Sequence, residues 1–298
     1  MTIWRLHIRP KVDNEGAFEY CLKNKIIGTG WAAPSIQEET TDKEVYRSKA
    51  PKKFQSDKSW HSSLWSFIDD VSPGDFIWTM SPKGEYYIAV IRRKGGEWRY
   101  LPKGEAFDVV NVRKVILHKV GLADSVPGVI RNAFAGPGQT FRKIPSDLAK
   151  IFTEKWIQKK RTKKTGGGPS YSKHDIYGLL GPRELEDLVF IYLQSKGWLI
   201  VPSTRTSSQI YYEAVLLNKN TGEPAMLQVK SGKNQLDAQS YHREERVFLF
   251  AASNIYGTGR PPLNVTIISR NDIERFIRDK RYLLPQSIGL WFELAGFE

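Results

Sequence analysis

Two glutamates, a glutamine and a lysine carry the chemistry that this chain could perform. Glu213 stands fifteen residues ahead of the run Gln228-Val229-Lys230, and Glu186 precedes both. Carboxylate and amide oxygens are the ligands a hard divalent cation prefers. A lysine beside them can orient or deprotonate an attacking water. Glu186, Glu213 and Gln228 are therefore candidate metal ligands, with Lys230 the candidate catalytic cation of a metal-assisted phosphodiester hydrolysis.

The elements around these residues must bring them together. Residues 209–217 and 224–231 read as two short strands joined by the polar turn Asn218-Lys219-Asn220-Thr221-Gly222-Glu223, which predicts a hairpin. Side chains on a strand alternate faces, so Gln228 and Lys230 share one face while Leu227 and Val229 take the other. On the first strand Tyr211, Glu213 and Val215 form one set; a register that faces the two sets together converges Glu213, Gln228 and Lys230. Upstream, Leu185, Leu188, Val189, Tyr192 and Leu193 recur at helical spacing, with Pro182 suited to the first turn and Gly197 to the stop. On that helix Glu186 lies at the edge of the apolar stripe and can lean over the sheet. Asp187 is expected to point away, and Glu184, at the opposite edge, is the competing choice.

Gly181-Pro182-Arg183-Glu184-Leu185-Glu186-Asp187-Leu188-Val189, then Leu193-Gln194-Ser195-Lys196-Gly197-Trp198, then Glu213 and Gln228-Val229-Lys230, resembles the Mrr-like branch of the PD-(D/E)xK nuclease superfamily. The resemblance implies an αβββαβ core that cleaves DNA with magnesium, for which manganese can substitute. It matches Glu186 to the helix carboxylate, Glu213 to the strand acid, Gln228 to the metal-facing amide and Lys230 to the catalytic lysine. One position departs: the family places Asp, generally after a glycine, where Glu213 follows Tyr211-Tyr212.

With 45 basic against 32 acidic residues, the 298-residue chain carries a net charge of +13. Such an excess fits a polyanionic partner, nucleic acid first, through phosphate neutralisation and counterion release. No apolar run reaches membrane-spanning length and the N-terminus lacks a signal-peptide pattern, so the expectation is a soluble, cytoplasmic protein. The single Cys21 excludes an intrachain disulfide or a cysteine zinc cluster. The five histidines lack metal-ligand spacing, which argues against HNH or HD chemistry. No Walker or Rossmann spacing calls for a nucleotide cofactor.

The segment around Gly166-Gly167-Gly168-Pro169 is a flexible connector by composition, and Lys159, Lys160, Arg161, Lys163 and Lys164 make it basic. These five are candidate contacts to the DNA backbone. Between Ser146 and Lys160, the spacing of Leu148, Ile151, Phe152 and Trp156 predicts a helix capped by Ser146.

Ahead of the connector the chain is rich in strands: residues 3–8, 75–80, 86–91 and 109–112 read as such, and the turn Ser81-Pro82-Lys83-Gly84-Glu85 predicts a hairpin. A helix is predicted over 59–71, with Trp60, Leu64, Phe67 and Ile68 on one face. Six of the nine tryptophans (Trp4, Trp31, Trp60, Trp65, Trp78 and Trp98) fall in the first hundred residues. Core packing accounts for most of them; a pocket that stacks a flipped base is the sharper reading. Trp31 suits it best, because Gly28-Thr29-Gly30 places it after a glycine turn. Ile27-Gly28-Thr29-Gly30-Trp31, Pro73-Gly74-Asp75-Phe76-Ile77-Trp78 and Tyr87-Ile88-Ala89-Val90 resemble the EVE-type, PUA-like domains related to YTH readers, which implies an aromatic cage for a modified base. Trp31 and Trp78 would be its walls and Asp75 a polar contact. Farther on, the glycine-rich stretch 126–140, with Arg131 and Arg142 nearby, reads as a connector that could also approach phosphates.

The resulting expectation is an α+β chain: a PUA-like (EVE-type) β-barrel reader domain over 1–160, a basic Gly-rich linker over 161–176, and a restriction-endonuclease-like α/β domain with an αβββαβ core over 177–298. Joined, the halves suggest a modification-dependent endonuclease of restriction-like defence, acting on double-stranded DNA that carries a modified base, as a homodimer on DNA. Two rivals are a non-catalytic reader with a degenerate nuclease fold and a structure-specific repair nuclease.

Overall fold

The computed structural model describes residues 1–8, 14–135, 139–161, 175–205 and 211–296. The chain is mixed α+β and divides into two compact units, Met1–Thr165 and Gly166–Glu298. Among the described residues no helix is long and apolar enough to cross a membrane.

The first unit is built on one curled sheet. Its strands are β1 (Ile3–Leu6), β2 (Ile26–Thr29), β3 (Phe76–Met80), β4 (Tyr86–Ile91), β5 (Arg99–Tyr100), β6 (Asn111–Gly121) and β7 (Phe141–Lys143), in the order β2-β6-β4-β3-β1-β7 with β5 also on β6. The long β6 does the curling. Its first residues pair with β2 while Val115 onward pairs with β4, so one strand serves both halves of a half-barrel. Helix α1 (Asn14–Asn24) precedes β2, and α2 (Lys43–Lys49) follows it, capped by Asp42. Residues 60–70 form the expected helix as wide, π-type turns, with Trp60, Leu64, Phe67 and Ile68 all buried. After β6 come α3 (Gly128–Ala135) and α4 (Asp147–Arg161), the latter started by the Ser146 hydroxyl, which accepts from the Ala149 N–H at 3.3 Å.

Strand alternation sorts the first core into two faces. Ile77 of β3 joins Trp4, Leu6, Ala89 and Phe141 in the aromatic cluster. Its neighbour Trp78 turns the other way, where α4 covers it: the indole N–H donates to the Thr153 hydroxyl at 2.9 Å and the ring lies 6.4 Å from Phe152. Cys21 is buried, and burial pushes its thiol up to about 12, as expected of a small core hydrophobe.

The second unit starts with α5 (Ile176–Leu179) and α6 (Pro182–Ser195), followed by a mixed sheet of β8 (Trp198–Ile200), β9 (Ala214–Asn218), β10 (Pro224–Lys230), β11 (Val247–Ala251) and β12 (Val265–Ile267), in the order β12-β11-β10-β9-β8. Only β9 runs against its neighbours; β10, β11 and β12 are mutually parallel. Helices α7 (Arg270–Asp279) and α8 (Gln286–Leu294) close the unit. Helix α6 runs as its spacing predicts, from Pro182 to a stop at Gly197, whose φ of +90 a side chain would resist.

Two expectations need correction here. The first hairpin strand begins at Ala214, not 209: residues 211–213 lie outside it, and 209–210 fall outside the described residues. Between β10 and β11 the αβββαβ pattern calls for a helix, and the chain makes only a single 3-10 turn at Ala238–Tyr241. That turn lays Leu236, Ala238 and Tyr241 on Val247, Leu249 and Ala251, so the sheet face is covered without a full helix.

Candidate functional site

The hairpin sets one half of the site. Asn218 caps its turn, accepting from the N–H groups of Asn220 and Thr221, and Gly222 takes the positive φ of +74 the turn demands. On β10, Gln228 and Lys230 share the face that looks across to Leu249 and Ala251 of β11. Gln228 is only 1% exposed. Glu213 sits where β9 begins. Its N–H donates to the Leu227 carbonyl at 2.7 Å, although Leu227 already faces Ala214 in the register. Two successive residues thus face one partner, the pattern of a bulge, which re-aims a side chain at a strand end. Strand alternation from Tyr211 to Val215 therefore does not govern Glu213. Tyr211 is held separately, stacked on Tyr241 at 4.7 Å with its carbonyl accepting from the Tyr241 hydroxyl at 3.1 Å.

The outcome is a cluster. The Lys230 ammonium lies 4.0 Å from a Glu213 oxygen, both side chains partly buried. Glu213 feels Glu186: burial raises the Glu213 carboxyl above the ordinary glutamate range, the Glu186 charge raises it further, and Lys230 and Arg205 oppose the rise. Burial likewise raises Glu186, with Arg205 the chief opposing charge. An exposed ion pair is worth about 0–1 kcal/mol, too little to explain why two glutamates should be desolvated together. Such an arrangement costs stability, and groups perturbed in this way gather at functional sites.

Helix α6 resolves the choice between its glutamates. Glu184 is buried and committed to structure: its carboxylate accepts from the Gly181 N–H at 2.9 Å and from the Trp291 indole at 3.3 Å. Glu186 is the one near Glu213. Asp187, expected to point away, instead shares a partner with Glu186: Arg205 reaches Asp187 at 3.2 Å and Glu186 at 3.4 Å. Arg205 follows the short turn Pro202–Thr204, which is pinned to β9 by the bond from the Val215 N–H to the Thr204 hydroxyl at 2.9 Å. Neither Arg205 nor Asp187 was selected by spacing. Nothing in an irregular segment announces which arginine will fold back.

Hard oxygen donors suit magnesium or manganese, and Glu186, Glu213 and the Gln228 amide are of that kind. Among the described residues no three histidine, cysteine, aspartate or glutamate side chains gather as a metal cluster. A cation here would rest on two carboxylates and an amide.

The aromatic residues of the first unit do not meet as expected. Trp78 is fully buried on the α4 side, whereas Trp31 packs against the opposite core, so the two cannot wall one cage. Asp75 is 3% exposed and binds the turn to β1, accepting from the Thr2 and Ser72 N–H groups and from the Trp4 indole. Trp31 itself keeps its candidacy with other partners. Half-buried, it meets Phe54 at 5.1 Å and Trp60 at 5.7 Å edge to face, with Tyr46 and Trp65 beyond Trp60. Arg47 lies over Trp65 at 4.1 Å. Phe54 and Trp65 are also half-buried, leaving an aromatic wall that solvent reaches.

Trp31 is held in a conformation rare for a bulky residue, φ +74. Such backbone costs on the order of 1–3 kcal/mol and persists only where surroundings enforce it. Here the Tyr46 hydroxyl donates to the Trp31 carbonyl at 2.7 Å, while Asn111 donates to that hydroxyl and to the Gly30 carbonyl. Of the proposed backbone contacts, Lys159 and Lys160 are exposed at the end of α4, with the Lys160 ammonium 5.2 Å from the Trp156 ring. The Arg161 side chain, Lys163 and Lys164 lie outside the described residues.

Residues 4–122, within the first unit, match a family model described as a domain of unknown function (DUF8426). No curated protein and no solved structure matches the chain.

Proposed function

We propose that the protein is a modification-dependent DNA endonuclease of the restriction-defence kind. Its first unit reads a modified base and its second hydrolyses phosphodiesters. The observation that carries this reading is the closeness of Glu213 to Lys230 and to the charge of Glu186, all partly buried, with Gln228 two residues before Lys230 on the same strand face. The order α6, β8, β9, β10 and β11 supports it, being the αβββ…β succession of such a core with a turn in place of its second helix. The net charge of +13 supports a nucleic-acid partner.

In this reading Glu186, Glu213 and the Gln228 amide hold magnesium, for which manganese substitutes. The metal supplies charge neutralisation at the phosphate and a lowered pKa for water. Lys230 positions the attacking water in line with the leaving oxygen. Trp31, Phe54 and Trp65 stack the flipped base, with Trp60 and Tyr46 behind them. Double-strand cleavage calls for two copies on one DNA, and the cell compartment that fits is the cytoplasm.

The test is magnesium-dependent cleavage of methylated, hydroxymethylated, glucosylated and unmodified duplexes. Cutting confined to one modified class is the expected result. Lys230→Ala should lower the rate by about 10²–10⁴-fold while leaving DNA binding nearly unchanged, because affinity is spread over many basic residues. A variant that cuts normally refutes the site. The small acidic set favours one second reading, a reader whose nuclease-like half only grips nucleic acid. Calorimetry with Mn²⁺ separates the two, since a pure binder has no site that depends on Glu213.

A further inference from the structure

We propose that Arg205 grips the phosphate at this site, a positioning role that rests on the nuclease reading above. The Arg205 guanidinium lies over the buried Phe190 ring at 4.7 Å, which fixes its plane. The side chain remains 38% exposed, so one edge of the fork is open to a ligand. Its contacts to Glu186 and Asp187, at 3.4 and 3.2 Å, come from the same nitrogen. That is a loose engagement compared with the paired, shorter bonds a guanidinium makes to one carboxylate or phosphate.

Charge and reach point the same way. Arg205 is felt by both Glu186 and Glu213, which places its charge within the cluster instead of beside it. Glu186, Asp187 and Glu213 set three negative charges against the positive ones of Arg205, Lys230 and Arg183, the last felt by Glu186. A divalent cation added to that balanced set leaves an excess of positive charge, which a phosphodiester offsets in part. Lys230 is a compact point charge suited to water, whereas Arg205 presents the planar fork that matches two non-bridging phosphate oxygens. As the carboxylates are shared with a metal, their hold on the fork weakens and it becomes available to the phosphate.

The experiment compares wild type with Arg205→Ala and Arg205→Lys in the full chain. It measures binding of a short fluorescent DNA duplex in Ca²⁺, KM and kcat in Mg²⁺, and Mn²⁺ binding by calorimetry without DNA. Expected for Arg205→Ala is an affinity loss of about 10- to 100-fold, a salt slope shallower by about one, and a raised KM. Mn²⁺ binding should be no weaker, because a competing cation has been removed. Arg205→Lys, which keeps the charge and the fold, should recover only part of the affinity. Unchanged affinity and KM would overturn the proposal. So would a loss of Mn²⁺ binding in Arg205→Ala, which would make the residue a brace for the carboxylates. Failure of the nuclease reading looks different: wild type neither cuts nor binds Mn²⁺. In that event a DNA affinity still lowered by Arg205→Ala upholds the grip, and one left alone overturns it.

Discussion

At the residue scale, the Glu186–Glu213 pair gives the most direct consequence. Glu213 has its carboxyl raised in the folded protein by burial first and by Glu186 second. For a raised acid the unfolded chain ionises first as pH climbs. Stability therefore falls from the ordinary glutamate range up to the raised value, and below that range the pair costs nothing. Glu213→Gln should accordingly melt with wild type in acid and above it at neutral pH, by thermal unfolding across a pH series. Identical curves at both ends would mean that the Glu213 carboxyl is not raised in the folded protein. Trp31→Ala should weaken binding to a modified duplex by about 1–3 kcal/mol, the worth of one stacked base, and leave unmodified DNA unaffected; a competition binding assay reads the difference. Spacing alone put Gln228 and Lys230 on one face, because a strand's period of two is strict, whereas Glu213 reaches Lys230 from the irregular start of β9. Spacing passed over Arg205 and Tyr46, whose roles are set by where an irregular segment and a distant helix return to the site.

At the element scale, the glycines before Trp31, one in β2 and one just after it, are required by close approach and not by a positive φ. A Cβ on Gly30 would fall 2.1 Å from an Asp108 oxygen, and one on Gly28 would fall 2.5 Å from the Asn111 carbonyl. Gly30→Ala should then destabilise the first unit by roughly 1–3 kcal/mol and disturb the Trp31 environment, visible as lower Tm and altered tryptophan fluorescence. Full stability would show that Asp108 swings aside freely. Helices α4 and α6 and both hairpins follow from periodicity, caps and turn residues, signals that lie within a few positions of one another. The pairing of Trp31 with Trp78 failed because adjacent residues on β3 face opposite cores, and no local signal says which face α4 will cover. The missing helix before β11 failed for a related reason: a turn that buries Leu236, Ala238 and Tyr241 satisfies the same sheet face.

At the scale of the whole molecule, a net charge of +13 makes any nucleic-acid affinity steeply dependent on salt. Replacing Lys159 and Lys160 together with alanine should flatten the slope of log affinity against log salt by about two units if each meets a phosphate. An unchanged slope would remove the end of α4 from the contact surface. The division of the chain into two units was legible because the glycine-rich stretch interrupts every apolar period. The curl of the first sheet was not, since it depends on one long strand serving two sets of partners.

The indole of Trp291 donates to Glu184, 107 positions earlier in the chain. The helix that presents Glu186 is thus fastened at its root by a residue that leaves a ribosome 107 positions after Glu184 does. Until Trp291 emerges, α6 can coil and cap its own first turn through the Gly181–Glu184 bond, but it lacks its tie to α8. Synthesis itself imposes a delay between the appearance of Glu186 and the fastening of the helix that carries it.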